Sequence, residues 1–387
     1  MKPVSKCTLG EACTVVSGGT PKRSVREYWE GGDIPWVKIS DLGHGSIHHT
    51  EERITRKGLD DSAAKLLPSG AVLVSIFATI GATGILATPA CTNQAIAGIV
   101  PKESYGLTPR YIYYWLQSQR QFMEGTARGV AQNNINLSVL RSMEIPLYSK
   151  PEQSCISDVL ANVDALLNDC KKLSNTLDKL VKSRFIEMFG DPDNNPNGCS
   201  VRRLGDVVSI ERGGSPRPIS QYVTSGEDGV NWIKIGDTSE NSIYITKTEE
   251  KIKPSGMKKS RYVQPGDFLL SNSMSFGRPY ILKTDGCIHD GWLVLRDSSS
   301  AFDKLYLYAL LDSEYAKRFF AKKAVGTTVR NLNKEIVGNM PVLLPPSEKQ
   351  IEYADFFTRV DKLRFDVQQQ IEKLEILKKS LMQEYFG

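Results

Sequence analysis

The chain has 387 residues, 40% of them hydrophobic and 24% charged, which is typical of a folded protein with two or three domains and not of a disordered one. The formal net charge is +5, but residues 151–190 and 347–387 each carry one more acidic than basic side chain. The basic excess therefore lies in the remaining parts of the chain, as expected of a protein that meets a phosphate backbone.

The first half begins with a short helix or strand from Cys7 to Val16 and a Gly-Gly-Thr-Pro turn. Short β-like runs follow, each bounded by Gly, Pro, Asp or Ser: Trp36–Ile39, Ala71–Phe77, Gly84–Ala87 and Ala95–Val100. A helix is then predicted from Pro109 to Met123, where Tyr111, Tyr114 and Trp115 share one face. A polar loop from Gly125 to Asn136 and a short apolar run, Ile145–Leu147, complete the half.

The apolar stretch Ala71–Ala87 has to be considered as a membrane span. It is short, Gly81 and Gly84 interrupt it, and the equivalent stretch of the second half reads DFLLSNSMSFGRPYILK, which a bilayer would not accept. We therefore expect two buried strands around a glycine turn. The N-terminus lacks the apolar core of a signal peptide. The seven cysteines show neither C-x-x-C nor metal-ligand spacing, so we expect reduced thiols and a cytoplasmic location.

The second half of the chain repeats the first at an offset of about 195 residues, a period that indicates a duplicated domain and not a solenoid. The matched segments are Leu9-Gly10-Glu11 with Leu204-Gly205-Asp206, Gly18-Gly19-Thr20-Pro21-Lys22 with Gly213-Gly214-Ser215-Pro216-Arg217, Trp36-Val37-Lys38-Ile39 with Trp232-Ile233-Lys234-Ile235, and Asn134-Ile135-Asn136 with Asn331-Leu332-Asn333. Each copy ends in Phe-Gly. We expect two α+β domains, at residues 1–150 and 191–346, each followed by a long helix, at 151–190 and 347–387.

The two helical segments carry apolar residues at alternating steps of four and three, the 3.5-residue period of a coiled coil. Arg364 and Lys378 interrupt the second seam, and Ser174 makes the first less regular. Each helix is predicted to run about 34 residues, or ~50 Å. One alternative is that each helix packs on its own domain, but the length favours antiparallel pairing of the two. The predicted seam residues are Leu160, Val163, Leu167, Leu177, Val181, Phe357, Val360, Val367, Ile371, Leu374 and Leu381.

The sequence contains no recognisable catalytic or metal-binding motif. The G-x-x-x-x-G-K-[ST], G-x-G-x-x-G and H-E-x-x-H patterns are absent. Asn195-Pro196-Asn197 lacks the second proline and the aromatic residue of an amino-methyltransferase motif. Glu249-Glu250-Lys251 has the E-x-K pattern of some nucleases but no suitably placed acidic partner. We therefore predict a chain without a catalytic centre.

Polar and basic residues in loops offer the chemistry of DNA recognition, because cations and backbone N–H groups suit phosphate, and Arg, Asn and Gln read base edges. The candidates are Thr20, Lys22, Arg23, Lys38, Thr79, Asn93, Gln94, Arg128, Gln132, Asn133, Ser215, Arg217, Lys234, Ser275, Arg278, His289, Arg330 and Asn331. Other interpretations stay open: a structural need for glycine in the Gly-Gly turns, helix capping by Asn134 and Asn136, and plain solvation of Lys38 and Lys234.

The order of these motifs resembles that of the specificity subunits of type I restriction-modification enzymes. The first copy reads S-G-G-T-P-K, I-P-W-V-K-I-S-D, G-x-x-Q-N-N-I-N-L-S-x-L and I-P-L, and the second G-G-S-P-R, N-W-I-K-I-G-D, G-T-T-V-R-N-L-N and M-P-V-L-L-P-P-S-E-K-Q. The resemblance covers essentially the whole chain. It implies two target-recognition domains, each binding one half of a split DNA site, and two antiparallel helices that set the distance between the halves.

The resemblance also implies a non-catalytic chain that recruits other subunits. Two modification (methyltransferase) subunits would flip and methylate adenines, and two restriction (translocase/nuclease) subunits would cut. S-adenosylmethionine, ATP and Mg²⁺ would be cofactors of those partners and not of this chain. The helix surfaces are the expected docking sites for the modification subunits.

The distance-setting role of the helices that the resemblance implies predicts a bipartite target, and the sequence differences between the two domains predict half-sites that differ. About 50 Å corresponds to ~15 base pairs between domain centres, from which we expect a nonspecific spacer of about five to eight base pairs. Three alternatives remain: a specificity chain of a type II system with a fused nuclease-methyltransferase, a coiled-coil adaptor that does not bind DNA, and a nuclease with an unrecognised active site.

Overall fold

The computed structural model describes residues 5–43, 45–128, 134–238, 242–272, 277–323 and 332–387. The chain forms two compact units. The first comprises Met1–Lys171 and Gln368–Gly387, and the second comprises Lys172–Val367. Each unit therefore contains one globular part and segments of two long helices.

The globular part of the first unit is built from short strands and short helices. Its strands are β1 (Ser5–Thr8), β2 (Cys13–Ser17), β3 (Ile34–Val37), β4 (Gly45–Ile47), β5 (Glu52–Ile54), β6 (Val72–Ser75), β7 (Thr83–Leu86), β8 (Cys91–Thr92), β9 (Ile96–Pro101) and β10 (Glu144–Leu147). Its helices are α1 (Leu9–Ala12), α2 (Arg56–Asp60), α3 (Pro109–Ser118), α4 (Arg120–Arg128) and α5 (Leu137–Ser142), and the long α6 (Lys150–Phe189) follows.

The strands of the first unit form a five-stranded sheet in the order β2-β9-β6-β7-β4, a three-stranded sheet in the order β5-β3-β8, and the pair β1-β10. Both faces of the central strand β6 are covered. Val72 and Val74 join a core with helix α3, and Leu73 joins a second core with Val37 of β3. This two-sided burial explains why Ala71–Phe77 is continuously apolar in sequence. The turn into β7 contains Gly81 with φ +80°, a backbone conformation that favours glycine.

The second unit has the same kinds of elements. Its strands are β11 (Ser200–Arg203), β12 (Ser209–Arg212), β13 (Val223–Thr224), β14 (Val230–Ile233), β15 (Tyr244–Ile245), β16 (Glu250–Ile252), β17 (Arg261–Val263), β18 (Phe268–Ser271), β19 (Pro279–Leu282), β20 (Gly286–Ile288), β21 (Trp292–Arg296) and β22 (Pro341–Leu344). Its helices are α7 (Leu204–Val207), α8 (Lys304–Asp312), α9 (Glu314–Lys323) and α10 (Lys334–Gly338), and the long α11 (Ser347–Phe386) follows.

The sheets of the second unit repeat those of the first. The order β12-β21-β18-β19-β15 matches β2-β9-β6-β7-β4, and β11-β22 matches β1-β10. The smaller sheet is enlarged to β13-β16-β14-β20-β17. The central strand β18 is again covered on both faces, since Leu270 joins a core with helix α8 and Leu269 joins another with Ile233. The α+β fold and the internal repeat predicted from the sequence are confirmed.

Segments of the long helices α6 and α11 pack against each other within each unit, in antiparallel directions. In the first unit, Ile156 and Leu160 share a core with Phe386. In the second unit, Val181 and Phe185 share a core with Phe357. Each helix is 40 residues long, so the predicted length of about 34 was too short.

A buried glutamine fixes the start of each long helix to its globular part. In the first unit, the Gln153 side-chain Oε1 accepts a hydrogen bond from the Thr108 amide (2.9 Å), and Nε2 donates to the Tyr148 carbonyl (2.9 Å). In the second unit, Gln350 Oε1 accepts from the Asp303 amide (2.7 Å), and Nε2 donates to the Ala301 and Pro345 carbonyls (both 3.0 Å). Because both side chains are almost fully buried, these bonds fix the direction in which each helix leaves its domain.

Two local predictions need correction. The helix predicted from Pro109 to Met123 is broken at Gln119 into α3 and α4. Helix α4 continues to Arg128, so the first part of the loop predicted from Gly125 to Asn136 is helical. On either side of Gly125, Met123 and Ala127 are buried in the core of the first unit.

Candidate nucleic-acid interface

In the first unit, three loops at the ends of β2, β3 and β8 meet. The Gly19 amide donates to the Thr92 carbonyl (2.9 Å), and the Asn93 amide donates to the Val37 carbonyl (3.2 Å). These bonds bring together six of the residues predicted from the sequence to bind DNA. We call this set the first cluster: Thr20, Lys22, Arg23, Lys38, Asn93 and Gln94.

The same loops meet in the second unit. The Gly214 amide donates to the Ile288 carbonyl (3.1 Å), and the His289 amide donates to the Ile233 carbonyl (3.3 Å). The residues brought together form what we call the second cluster: Ser215, Arg217, Lys234, His289 and Asp290. Four of them were among the predicted DNA-binding residues, and Asp290, which matches Gln94 in the repeat, lies beside them.

The glycines that precede each cluster are needed because the backbones approach closely. A Cβ on Gly18 would lie 2.1 Å from the Thr92 hydroxyl oxygen, and a Cβ on Gly213 would lie 2.1 Å from the His289 carbonyl oxygen. No side chain fits at either position without moving a strand end. The structural interpretation of these two glycines is therefore correct, and they position the residues that follow.

Arg23 is held in the first cluster by aromatic rings and a carboxylate. Its guanidinium carbon lies 3.7 Å from the centroid of the Trp29 ring and 4.8 Å from that of Trp36. It also forms an ion pair with Glu52. This contact is the main cause of the lowered pKa of the Glu52 carboxyl group. Stacking and charge together restrict the guanidinium to one orientation.

Lys38 and Lys234 occupy equivalent places and both contact carboxylates. Lys38 Nζ lies 2.7 Å from Glu51 and 3.1 Å from Glu52, and Lys234 Nζ lies 2.5 Å from Glu250. The bond to Glu51 is the main cause of the raised pKa of Lys38. Because an internal carboxylate already offsets each ammonium charge, these lysines are less available to phosphate than exposed Lys22.

Asp290 organises the second cluster. Its Oδ1 accepts a hydrogen bond from the Ser215 hydroxyl (2.7 Å), and its Oδ2 lies 3.4 Å from the Arg217 guanidinium. The Ser215 bond is the main cause of the lowered pKa of Asp290, so this carboxylate is ionised at neutral pH. Its side chain is 45% exposed, which leaves it accessible from solvent.

His289 lies partly buried beside two indoles, with ring centroids 6.2 Å from Trp232 and 6.3 Å from Trp292. Backbone amides of Ile235 and Gly291 approach its Nε2 at 3.2 Å and its Nδ1 at 2.6 Å. Burial is the main cause of the lowered pKa of this imidazole. His289 is thus a neutral part of the wall of the cluster at pH 7.

Other predicted DNA-binding residues lie elsewhere. Thr79 is exposed in the turn between β6 and β7, and Arg278 precedes β19, with its guanidinium 5.4 Å from the Tyr280 ring centroid. The remaining predictions fall outside the described residues, since Arg128 ends α4 with its side chain undescribed and the others lie in undescribed segments: Gln132, Asn133, Ser275, Arg330 and Asn331.

Trp29 and the glutamates that pair with Lys38 and Lys234 were not predicted from the sequence. One signal could have found the glutamates, because Thr50-Glu51-Glu52-Arg53-Ile54 is repeated as Thr248-Glu249-Glu250-Lys251-Ile252. The two segments have the same local structure, since Thr50 and Thr248 donate their hydroxyl hydrogens to the carbonyls of Glu52 and Glu250. Glu250 therefore belongs to an ion pair that is repeated between the two units.

The predicted seam residues of α6 and α11 are all buried or half-buried within their units. The two residues that interrupt the seam also make contacts. Lys378 Nζ lies 2.6 Å from Asp164 and 3.0 Å from the Gln117 side chain, and Arg364 pairs with Asp178. Large apolar side chains remain about half exposed or more on the outer faces of these helices: Leu166, Leu173, Leu180, Ile186, Ile351, Leu363, Phe365, Ile376 and Leu377.

Among the described residues, no group of three or more His, Cys, Asp or Glu side chains could hold a metal ion. No described helix is long and apolar enough to cross a membrane.

Both halves of the chain match one family model, the type I restriction modification DNA specificity domain, at residues 1–179 and 196–376. The chain belongs to this family. The resemblance predicted from the order of the sequence motifs is confirmed. The repeat is therefore two copies of the specificity domain, each with a long helix.

Similar proteins of the specificity family include the type I restriction enzyme MjaIX specificity subunit of Methanocaldococcus jannaschii, which is 28% identical over 365 residues. That match covers 86% of this chain and 81% of the relative. The EcoR124I/EcoR124II specificity subunit of Escherichia coli is 30% identical over 167 residues, which cover 42% of this chain and 41% of the relative.

Solved structures share the specificity-domain fold. The type I restriction-modification S subunit from M. genitalium has a TM-score of 0.57 and 15% identity, with 100% of this chain and 99% of that one covered. A chain from a study of complex assembly and conformational transition in the type I R-M system has a TM-score of 0.62 and 19% identity, with 99% and 97% covered.

Proposed function

We propose that this chain is the DNA-recognition subunit of a type I restriction-modification complex. Each unit reads one half of a bipartite, asymmetric double-stranded DNA site. The observation that carries the proposal is the pair of clusters in a chain whose two halves both belong to the specificity family. The clusters occupy equivalent places, yet one presents an amide and the other a carboxylate. Because the clusters lie at equivalent positions, they suit the same task in both units. Because their chemistry differs, they suit two different half-sites.

The electrostatics of the clusters supports contact with DNA. Lys22 and Arg23 in the first unit and Arg217 in the second are exposed. Arg217 is 80% exposed although it faces Asp290, so most of its guanidinium is accessible to a phosphate or a base edge. Exposed cations beside polar groups combine attraction to the phosphate backbone with readout of base edges.

The outer faces of the long helices are the proposed docking surface for two modification subunits, which in turn join two restriction subunits. Leu173 and Leu180 lie seven residues apart on α6 and are 48% and 45% exposed. Apolar residues at heptad spacing suit packing against helices of a partner. Catalysis, S-adenosylmethionine, ATP and Mg²⁺ belong to those partners, and all seven cysteines are free, as suits the cytoplasm.

The test is to map N6-methyladenine across the genome of a host that expresses this chain with its methyltransferase subunit, against a host with the methyltransferase alone. We expect a split, asymmetric motif in the first host and no such motif in the second. A stable complex without a new motif would contradict DNA recognition. An unsplit motif would contradict the assignment of one half-site to each unit.

A second experiment tests the docking surface separately. The double variant L173E/L180E places charges on an exposed helix face, so we expect it to fold, to bind DNA and to lose its complex with the methyltransferase. Lys179→Glu, which adds a carboxylate between these positions at an exposed site, is the matched control. Copurification of the double variant with the methyltransferase at wild-type yield would overturn the docking assignment.

A further inference from the structure

The two clusters contain the same hydrogen bond between equivalent residues. Thr20 and Ser215 match in the repeat, and so do Gln94 and Asp290. In the first unit the Thr20 hydroxyl donates to Gln94 Oε1, and in the second the Ser215 hydroxyl donates to Asp290 Oδ1 (2.7 Å). In each unit, the hydroxyl of the residue directly after the two glycines therefore orients a side chain in the loop after strand β8 or β20.

The acceptors of this repeated bond differ in chemistry. Gln94 is an amide, with an NH₂ donor and a carbonyl acceptor, whereas Asp290 is an ionised carboxylate that can only accept hydrogen bonds. Both are accessible, since Gln94 is exposed and the Asp290 side chain is 45% exposed. An amide matches the N7 and N6 pattern of adenine, and a carboxylate matches the N4 amino group of cytosine.

The residues next to this pair have the same chemistry in both units. The tryptophan, lysine and glutamate next to the pair are retained between the units, as Trp36, Lys38 and Glu52 in the first and as Trp232, Lys234 and Glu250 in the second. Groups that are identical in both units cannot make the two half-sites differ. Residues that choose the base must be accessible, held in place and different between the units, and this pair meets all three conditions.

We infer that Gln94 and Asp290 are specificity-determining residues, Gln94 for an adenine in the half-site of the first unit and Asp290 for a cytosine in that of the second. Thr20 and Ser215 are positioning residues that orient the reading groups. Arg217, opposite Asp290 Oδ2, offsets the repulsion between this carboxylate and the DNA phosphates. The inference rests on the proposed DNA-recognition function.

The variants that test it keep the size of each side chain and its hydrogen bond. D290N leaves an oxygen that accepts from Ser215 but adds an NH₂ donor, and Q94E leaves an oxygen for Thr20 but removes the donor. Each full-length variant is expressed with the methyltransferase, and N6-methyladenine is mapped. We expect each variant to change the base preference in one half-site only, with different halves affected, and discrimination at that position to change roughly 5- to 150-fold.

The unaffected half-site is an internal control for folding and assembly. Glu227→Gln is the matched surface control, because it neutralises an exposed carboxylate of the second unit outside the cluster, and its motif is expected to equal that of the wild type. S215A retains the Asp290 carboxylate but removes the hydrogen bond that orients it. We therefore expect a weaker base preference at the position that D290N alters. Binding of purified complexes to duplexes with single base substitutions gives a readout that needs no methylation.

The outcomes separate this inference from the function on which it rests. Absence of any motif with the wild-type chain contradicts the proposed function. A wild-type motif that D290N and Q94E both leave unchanged, in methylation and in duplex binding, overturns the inference and makes the pair a structural lock of the loops. If D290N and Q94E alter the same half-site, the inference is overturned as well.

Discussion

His289 places an ionisable imidazole ring in a partly buried position. Its imidazole lies beside Trp232 and Trp292, and burial lowers its pKa against the opposing effects of Asp290 and Asp237. Two backbone amides point at its ring nitrogens; a neutral imidazole can accept a hydrogen bond from one of them, whereas a protonated ring can accept from neither. The second unit is therefore built around the neutral form.

This arrangement predicts a pH dependence of stability. Between the lowered folded pKa and the unfolded value of about 6.5, the unfolded state binds more protons, so the free energy of unfolding rises with pH across that window. The stability that comes from keeping His289 neutral is fully present above the unfolded pKa. It is lost as the pH falls toward the folded pKa. We expect H289Q to flatten this dependence in urea unfolding at pH 5.0–7.5, followed by tryptophan fluorescence. His48→Gln, at an exposed loop, is the control, and equal slopes for H289Q and wild type would contradict the prediction.

Some residue roles could be predicted from sequence because they depend on near neighbours. Asn136, considered as a helix cap, accepts a hydrogen bond from the Val139 amide (2.8 Å), and Asn333 accepts one from the Ile336 amide (2.8 Å). The ion pairs of Lys38 and Lys234 were not predicted, because they depend on strand register. Trp36 lies opposite Glu52, and Trp232 opposite Glu250, only after β3 pairs with β5 and β14 with β16.

At the scale of the elements, Gln153 and Gln350 join each long helix to its domain. Replacing either with leucine would leave a buried amide and buried carbonyls without partners, at a cost of about 3 kcal/mol to the unit concerned. Hydrogen exchange measured by mass spectrometry should show faster exchange in the first unit for Q153L and in the second for Q350L. Gln121→Leu, at an exposed helical position, should leave exchange as in the wild type. Unchanged protection in both variants would show that the helix starts are fixed by other contacts.

The ion pair of Lys378 with Asp164 gives a second prediction for the long helices. Both side chains are about three-quarters buried, so K378M leaves a poorly solvated carboxylate and should lower the free energy of unfolding by about 1–2 kcal/mol. The double variant K378M/D164L should recover part of that loss, with a coupling energy of about 1 kcal/mol in a double-mutant cycle. Chemical unfolding measures all the variants, with exposed Lys379→Met as the control. Additive effects would show that the pair contributes no coupling.

Helices and sheets could be predicted from the sequence where a single periodicity determines them. The 3.5-residue seam predicted α6 and α11, and the repeat predicted matching sheets. The break at Gln119 could not be predicted, because no glycine or proline lies at that position. The partners of Lys378 and Arg364 could not be predicted, because Asp164 and Asp178 lie about 190–210 positions away along the chain, and contact depends on how the helix segments pair.

For the whole molecule, the basic excess outside the helices predicts salt-sensitive binding to DNA. The logarithm of the binding constant should fall linearly with the logarithm of salt concentration. K22A should reduce the magnitude of that slope by about 0.9 while leaving the preferred sequence unchanged, as expected for one phosphate contact. Fluorescence anisotropy of the assembled complex at several salt concentrations measures the slope. Exposed Lys179→Ala on α6 is the control, and a slope equal to that of the wild type for K22A would remove Lys22 from the interface.

The spacer of about five to eight base pairs stays a prediction, and the methylation map measures it directly. The helices extend about 60 Å each at 1.5 Å per residue, slightly more than the length from which the spacer was predicted. A spacer outside this range would show that helix length alone does not set the separation.

The repeated hydrogen bonds also bear on how such a chain evolves after gene duplication. The Thr20–Gln94 and Ser215–Asp290 hydrogen bonds join equivalent positions while the acceptor changes from an amide to a carboxylate, and Gln153 and Gln350 keep the same role at the starts of the long helices. A single codon change at the acceptor can thus alter a recognised base without disturbing the scaffold. Selection for new DNA targets can therefore act on one copy while the other copy keeps its base preference.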